Sequence, residues 1–341
     1  PLTYILVQQS YGRREALIAG SIALFFPHLI NSVVAVGSEN VFIALALGVL
    51  IVTWNALITG SKMLYIAAGI LLGLAYLTRP EAIGYSIYLV LIIVAHNFWR
   101  KKPFLNTALP RLAALLLGFS LFATPYILYL RSETGMWTVS GKAKINTIVG
   151  EFNDGPDSLE PSVQNSPAKE FVKYFLLNLV EVQKMLPALF PLLLWMFIGL
   201  GLFVSSWGKE HLEREMFLIS FSLVTILGYA AAVVQLRYFY VLLPVLFGWT
   251  ARGIVNFTKW LHDTIPGHTT FLLRSRAITV LPIAAVFLYV LPLNFYMRST
   301  DRRWETSGYE ERDAGLWLRQ NSKAELYVFS ASRRPTFYAE A

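Results

Sequence analysis

The stretch Tyr76-Leu77-Thr78-Arg79-Pro80-Glu81-Ala82 joins two apolar runs, the first from Met63 to Leu77 and the second from Ala82 to Phe98. Each charge in this stretch would cost roughly 2.5–3.5 kcal/mol at the centre of a bilayer, so the stretch belongs at an interface or in a watery cavity. Pro80 lacks a backbone N–H and biases Arg79 away from helical geometry, which suits a tight turn. The stretch therefore predicts a turn between two membrane spans. Taken alone, the stretch also fits a plain structural role, in which Arg79 extends to the membrane surface and Glu81 belongs to the turn.

The composition extends this prediction to the whole chain. The 341 residues are 55% hydrophobic and only 15% charged, with a mean hydropathy of +0.52. Soluble domains carry about 25% charged residues, so the sequence indicates a polytopic membrane protein. The chain has no cysteine, which excludes disulfides, thiolate metal sites and a cysteine nucleophile. The net charge of +8 fits basic loops at an anionic leaflet, since no basic patch interleaved with aromatic residues indicates nucleic-acid binding.

A membrane span needs about 20 mainly apolar residues. The sequence predicts an all-α membrane protein with about nine transmembrane helices in what we interpret as a fragment, open at both ends. The predicted spans are Ala16–Val36, Asn40–Leu57, Met63–Leu77, Ala82–Trp99, Leu112–Leu130, Leu186–Ser205, Met216–Val234, Tyr238–Val255 and Ala277–Tyr296.

The Lys and Arg residues of the short loops orient these spans. If all nine are real, the basic loops fall on one side, which is then the cytoplasmic side. The opposite, outer side holds Glu39, the Arg79-Pro80-Glu81 turn, the loop 131–185 and Arg237. Polar features thus converge on the outer face, where we expect a functional site.

Two regions outside the spans have structure of their own. In the outer loop, residues 167–184 have the periodicity of a helix on the membrane surface, although they could also extend the sixth span. The membrane domain is expected to cover residues 1–298. Residues 299–341 turn polar, with a helix predicted at Tyr309–Gln320 and a strand at Glu325–Ser330, which indicates the start of a small extracytoplasmic α/β domain.

Three residues at the outer span ends are candidates for binding. Arg79 and Arg237 could bind a lipid phosphate, because a guanidinium group suits bidentate phosphate contacts. They could instead be interfacial anchors, helped by aromatic residues such as Tyr238. Glu39 could bind a divalent cation through its oxygens, or belong to a helix N-terminus that Ser38 caps. The five histidines show no ligand spacing, and no phosphate-cradling loop or nucleophile elbow occurs.

Several ordered motifs resemble multi-spanning glycosyltransferases of the GT-C class. The similarity is to bacterial relatives of the dolichyl-phosphate-mannose–protein mannosyltransferases (glycosyltransferase family 39) and of the aminoarabinose lipid A transferase. The motifs are Tyr11-Gly12-Arg13-Arg14-Glu15-Ala16, Ser38-Glu39, Gly73–Glu81, Leu236-Arg237-Tyr238 with Leu243-Pro244, Arg312–Arg319 and Pro335–Ala339.

The resemblance implies that a hexosyl or pentosyl group moves from a polyprenyl-phosphate donor to a lipid, glycan or protein acceptor. This reaction would take place at the outer face of the cytoplasmic membrane. By position, Arg79, Glu81, Arg237 and Tyr238 would bind substrate, with Glu39 as the candidate ligand of a divalent cation, Mg²⁺ or Mn²⁺. The acidic catalytic base of the family would lie before Pro1, so no catalytic residue is named.

Two other classes remain open. A transporter or flippase for a lipid-linked or anionic solute would tend to have repeats and polar groups near the midplane. Here most charges lie at span ends and no repeat is visible, which argues against this class. An O-antigen polymerase or ligase would act on lipid-linked saccharides and differs only in the order of the motifs.

Overall fold

The computed structural model describes residues 1–34, 38–101, 103–140, 167–204, 209–232 and 234–264, with a few single residues between 284 and 320. Two compact units divide the chain, Pro1–Val286 and Phe287–Ala341, and the helices below lie in the first. Among the described residues there is no strand. The predicted strand Glu325–Ser330 lies outside these residues, as does most of the predicted span Ala277–Tyr296.

Eleven α-helices are seen in the described part of the first unit. They are α1 (Leu2–Ser10), α2 (Arg13–Phe25), α3 (Pro27–Val34), α4 (Glu39–Thr59), α5 (Lys62–Thr78), α6 (Ala82–Trp99), α7 (Leu109–Thr134), α8 (Pro167–Leu189), α9 (Leu192–Phe203), α10 (Lys209–Ala230) and α11 (Leu243–Thr264). A π-helical turn at Phe104–Ala108 leads into α7, and a 3₁₀ segment at Leu236–Leu242 leads into α11.

Four of the described helices are long and apolar enough to cross a membrane, namely Glu39–Thr59, Ala82–Trp99, Phe104–Thr134 and Leu236–Leu261. Two bent pairs raise the number to six if each pair is one span, and α5 is a shorter apolar helix of 17 residues. The chain is therefore a multi-pass membrane protein, while the nine predicted spans are not confirmed.

The predicted sixth span, Leu186–Ser205, is not one straight helix. Helix α8 ends at Leu189, and α9 begins after Pro191 at an angle of 99°. A proline has no backbone N–H and keeps the residue before it out of helical geometry, which explains the break after Phe190. The predicted first span, Ala16–Val36, is likewise bent by 55° where α2 meets α3.

Glycine lets two pairs of helices approach closely. A Cβ atom at Gly69 of α5 would collide with the backbone of α7 at Leu115, and a Cβ at Gly118 of α7 would collide with α5 at Ile66. In the same way, Gly201 and Gly253 bring α9 and α11 together. Small residues permit such backbone contact between helices in a membrane, where apolar burial alone gives little driving force.

The antiparallel helices define two ends of this unit. At the Arg79 end, α5 ends, α6 begins, and the 3₁₀ segment leads into α11. At the Gly60 end, α4 ends at Thr59, and α5 begins after Ser61. Each end carries a cluster of charged side chains.

Candidate functional site

The site residues that the sequence predicts for the outer face come together at the Arg79 end. Arg79 Nη1 lies 3.9 Å from Glu39 Oε1, and Arg79 Nη2 lies 3.6 Å from Glu81 Oε1. Arg237 Nη1 lies 3.5 Å from the same oxygen of Glu39. The two guanidinium groups therefore share one carboxylate oxygen. We call Glu39, Arg79, Glu81, Arg237 and Tyr238 the Arg79 cluster.

Local backbone structure places each of these side chains. Helix α5 stops at Thr78 because Arg79 is extended (φ −150°, ψ 125°) and Pro80 follows it. Glu39 is the first residue of α4, where the helix dipole favours a carboxylate. The alternative that Ser38 caps this helix finds no support, since its side chain makes no capping hydrogen bond.

Tyr238 joins the two arginines. Its ring centroid lies 4.5 Å from Cζ of Arg79 and 5.4 Å from Cζ of Arg237. The ring also stacks on Tyr229, with centroids 5.2 Å apart. Contacts of this kind between a guanidinium group and an aromatic ring hold the charge in place without using its N–H donors.

The arginines differ in exposure and in hydrogen bonding. The Arg79 side chain is only 7% exposed, whereas that of Arg237 is 55% exposed. Arg237 donates from Nε to Gln235 Oε1 over 2.9 Å. Arg79 makes no side-chain hydrogen bond to any residue that the structure describes, and its ion pairs are longer than the 2.7–2.9 Å of a charge-assisted hydrogen bond. Arg79 thus keeps donors for a further anion.

A cavity of about 180 Å³ opens beside Glu81, between α6 and α10. Tyr85, Thr225 and Tyr229 are among its lining residues. Oxygen Oε2 of Glu81 is buried and has no hydrogen-bond partner among the described residues. The cavity therefore combines a mostly apolar wall with one carboxylate oxygen that can accept a hydrogen bond.

The described residues do not fit a divalent cation at Glu39. Two guanidinium groups lie within 4 Å of its carboxylate and oppose a second positive charge. No group of three or more His, Cys, Asp or Glu side chains suited to a metal is found in the described part of the chain. The expected Mg²⁺ or Mn²⁺ stays a prediction, and no step below depends on it.

A second charged cluster, at the Gly60 end, was missed by sequence reasoning. Glu215 is 1% exposed and Arg252 is 7% exposed, and Arg252 donates to Glu215 Oε1. Tyr11 Oη and Trp249 Nε1 each donate to Glu215 Oε2 over 2.9 Å. We call these four residues the Glu215 cluster. A signal was present, since the predicted span Tyr238–Val255 contains Arg252 and so needs a buried anion.

An integral membrane protein with arginines and carboxylates gathered at one end of its helices could bind an anionic group there. Residues 2–128, which are 127 of the 341 residues, match the family model of the dolichyl-phosphate-mannose-protein mannosyltransferases. This match confirms the predicted resemblance to GT-C glycosyltransferases and indicates a membrane glycosyltransferase. The matched segment includes Glu39, Arg79 and Glu81, while Arg237 and Tyr238 lie beyond it.

No curated protein matches the chain, and no solved structure matches it.

Proposed function

We propose that this protein moves a sugar from a polyprenyl-phosphate donor to an acceptor hydroxyl at the outer face of the cytoplasmic membrane. The observation that carries the proposal is the pair of arginines held on one carboxylate oxygen and one tyrosine ring. Arg79 has unused donors, and Arg237 is exposed beside it. Two guanidinium groups in this arrangement suit the oxygens of a phosphodiester.

The arginines would stabilise the leaving group. When the acceptor hydroxyl attacks the anomeric carbon, a new glycosidic bond forms and the bond from that carbon to the phosphate oxygen breaks. The electron pair goes to the polyprenyl phosphate, which gains a negative charge. Fixed positive groups at this phosphate lower the barrier because they are in place before the charge develops. We assign the proton acceptor to no described residue.

Glu39 and Glu81 would have different tasks. Glu39 holds Arg79 and Arg237 next to each other and would keep them oriented when no donor is bound. Glu81 uses one oxygen for Arg79, and its buried second oxygen has no hydrogen-bond donor in the described part of the chain. A hydroxyl group of a substrate sugar could donate to that oxygen from the adjacent cavity.

The outer location rests on the distribution of basic residues. At the Gly60 end, Arg13 and Arg14 begin α2, Lys62 begins α5, and Arg100 and Lys101 follow α6. Positively charged residues at the ends of spans remain on the cytoplasmic side. The Arg79 cluster is then extracytoplasmic. Residues 299–341 would follow on the same outer side.

Transfer of a radiolabelled sugar from a polyprenyl-phosphate donor, in vesicles that hold the purified protein, tests the proposal. We expect Arg79→Ala to lower the rate about 100- to 1000-fold, the loss typical of removing a donor from a developing anion. Arg237→Ala should lower it roughly 10- to 100-fold, because this side chain is half exposed and water can replace it.

Arg131→Ala is the matched control. Arg131 also lies at the Arg79 end, in the last turn of α7, but it contacts Trp137 and not the cluster. Its rate should stay within about twofold of the wild-type rate. Equal rates in the wild type and the three variants would show that neither Arg79 nor Arg237 takes part in sugar transfer.

A further inference from the structure

Arg111 is a buried cation at the Gly60 end that the proposed reaction does not use. It is the third residue of α7, and only 8% of it is exposed. Within the residues that the structure describes, its buried Nη1 atom has no hydrogen-bond partner, and no carboxylate lies within 4 Å of the guanidinium group. Every other buried arginine named above, Arg79 and Arg252, has a glutamate beside it.

The surroundings of Arg111 do not replace a counter-ion. Its Cζ atom lies 5.8 Å from the ring centroid of Tyr65, a residue that is completely buried. The Tyr65 hydroxyl faces the guanidinium group without a hydrogen bond of normal geometry. An aromatic ring offsets only part of the free energy that a cation loses when it leaves water. The side chain therefore needs an anion.

The first turn of α5 adds a second group of anion-binding donors. The guanidinium group of Arg111 lies along this turn. It contacts the ring of Tyr65, and its Nη2 atom lies so close to Gly60 that a Cβ atom at that position would be only 2.9 Å away. Ser61 precedes the helix and makes no capping hydrogen bond with its side chain. Free N–H groups at the start of a 17-residue helix favour a negative charge.

We propose that Arg111, the first turn of α5 and the Tyr65 hydroxyl bind the phosphate group of an anionic membrane lipid. Exposed apolar side chains flank the site, namely Met63 and Leu109, and acyl chains would lie against them. Lys62 adds a further exposed cation. On the positive-inside orientation this lipid belongs to the cytoplasmic leaflet. The proposal is independent of glycosyl transfer.

Thermal unfolding of the whole protein tests this site in three kinds of vesicle. They contain phosphatidylcholine alone, phosphatidylcholine with phosphatidylglycerol, or phosphatidylcholine with added inorganic phosphate. We expect phosphatidylglycerol to raise the Tm of the wild type but not that of Arg111→Met. In phosphatidylcholine alone, Arg111→Met should be at least as stable as the wild type, because it removes an unpaired buried charge.

Arg13→Met is the control, since Arg13 is an exposed cation at the same end. It should keep the response to phosphatidylglycerol. If inorganic phosphate and phosphatidylglycerol both raise the Tm of the wild type, the site binds phosphate groups in general. If only phosphatidylglycerol raises it, the site binds a lipid headgroup. The proposal would be overturned if Arg111→Met were less stable than the wild type in phosphatidylcholine and its Tm still rose with phosphatidylglycerol as in the wild type. Arg111 would then have a structural role only.

A second measurement covers the case in which Arg111→Met does not fold. Native mass spectrometry of Arg111→Lys, which keeps the charge but loses the planar fork of donors, should show at least tenfold weaker retention of phosphatidylglycerol than the wild type. Equal retention would contradict the proposed site.

Discussion

The two charged clusters of this protein are built from the same residue types but are bonded differently. In the Glu215 cluster, both carboxylate oxygens accept hydrogen bonds, from Arg252 on one side and from Tyr11 and Trp249 on the other. In the Arg79 cluster, the ion pairs are 3.5–3.9 Å long. The carboxylate of the first cluster is satisfied on both oxygens, whereas in the second cluster donors of Arg79 and one oxygen of Glu81 have no hydrogen-bond partner among the described residues. This difference supports the proposal that a ligand binds at the Arg79 cluster.

The helices involved support the same distinction. The Glu215 cluster connects the chain before α2 with α10 and α11, and Tyr11 and Glu215 are 204 residues apart in the sequence. The Arg79 cluster lies on the first residue of α4, the turn after α5 and the 3₁₀ segment before α11. Residues at the ends of helices can adjust to a ligand with little disturbance of helix packing, while residues within helices cannot.

The largest effect on stability should come from the satisfied cluster. We expect Glu215→Ala to lower the free energy of unfolding by about 3–5 kcal/mol, because Arg252 then stays buried without an anion. Denaturant unfolding of the purified protein in detergent would measure this loss.

The neighbouring glutamate provides the control for that measurement. Glu213 forms an ion pair with Arg100, whose side chain is 48% exposed, so Glu213→Ala should cost no more than about 1 kcal/mol. Similar losses for Glu213→Ala and Glu215→Ala would remove the distinction between a buried structural cluster and a surface pair.

A smaller effect is expected at the ring between the two arginines. Tyr238→Leu removes two cation–π contacts, each worth about 0.5–2 kcal/mol, and should lower the transfer rate roughly tenfold. Tyr238→Phe keeps the ring and should retain most of the activity, as measured in the same transfer assay. If the two variants lost activity equally, the hydroxyl rather than the ring would be the important group.

Sequence reasoning was most accurate where apolar runs end at strong local signals. The span predicted at Ala82–Trp99 coincides with α6, and the predictions Asn40–Leu57 and Met63–Leu77 fall within two residues of α4 and α5. Gly60 and Pro80 mark these ends, and both act through local backbone geometry. Local signals of this kind can be recognised without knowing the rest of the fold.

The features that sequence reasoning missed depend on the direction in which a helix runs or on side chains that are far apart in the sequence. Hydropathy along residues 186–205 does not reveal the 99° bend at Pro191, because an apolar segment has the same hydropathy whether its helix is straight or bent. The topology argument put Arg79 and Arg237 on the same face but could not give the carboxylate that they share. Glu215 and Arg252 are 37 residues apart, so only the three-dimensional structure shows that they pair.

Binding of the anionic group itself tests the central claim most directly. The measurement compares the affinity for a polyprenyl phosphate with that for the neutral polyprenol, in vesicles that contain phosphatidylglycerol. We predict that the wild type and Arg131→Gln prefer the phosphate by at least tenfold, since a hydrogen bond to a charged group is worth about 1.5–3 kcal/mol, and that Arg79→Gln loses this preference. An undiminished preference in Arg79→Gln would contradict the assignment of the Arg79 cluster as the phosphate site.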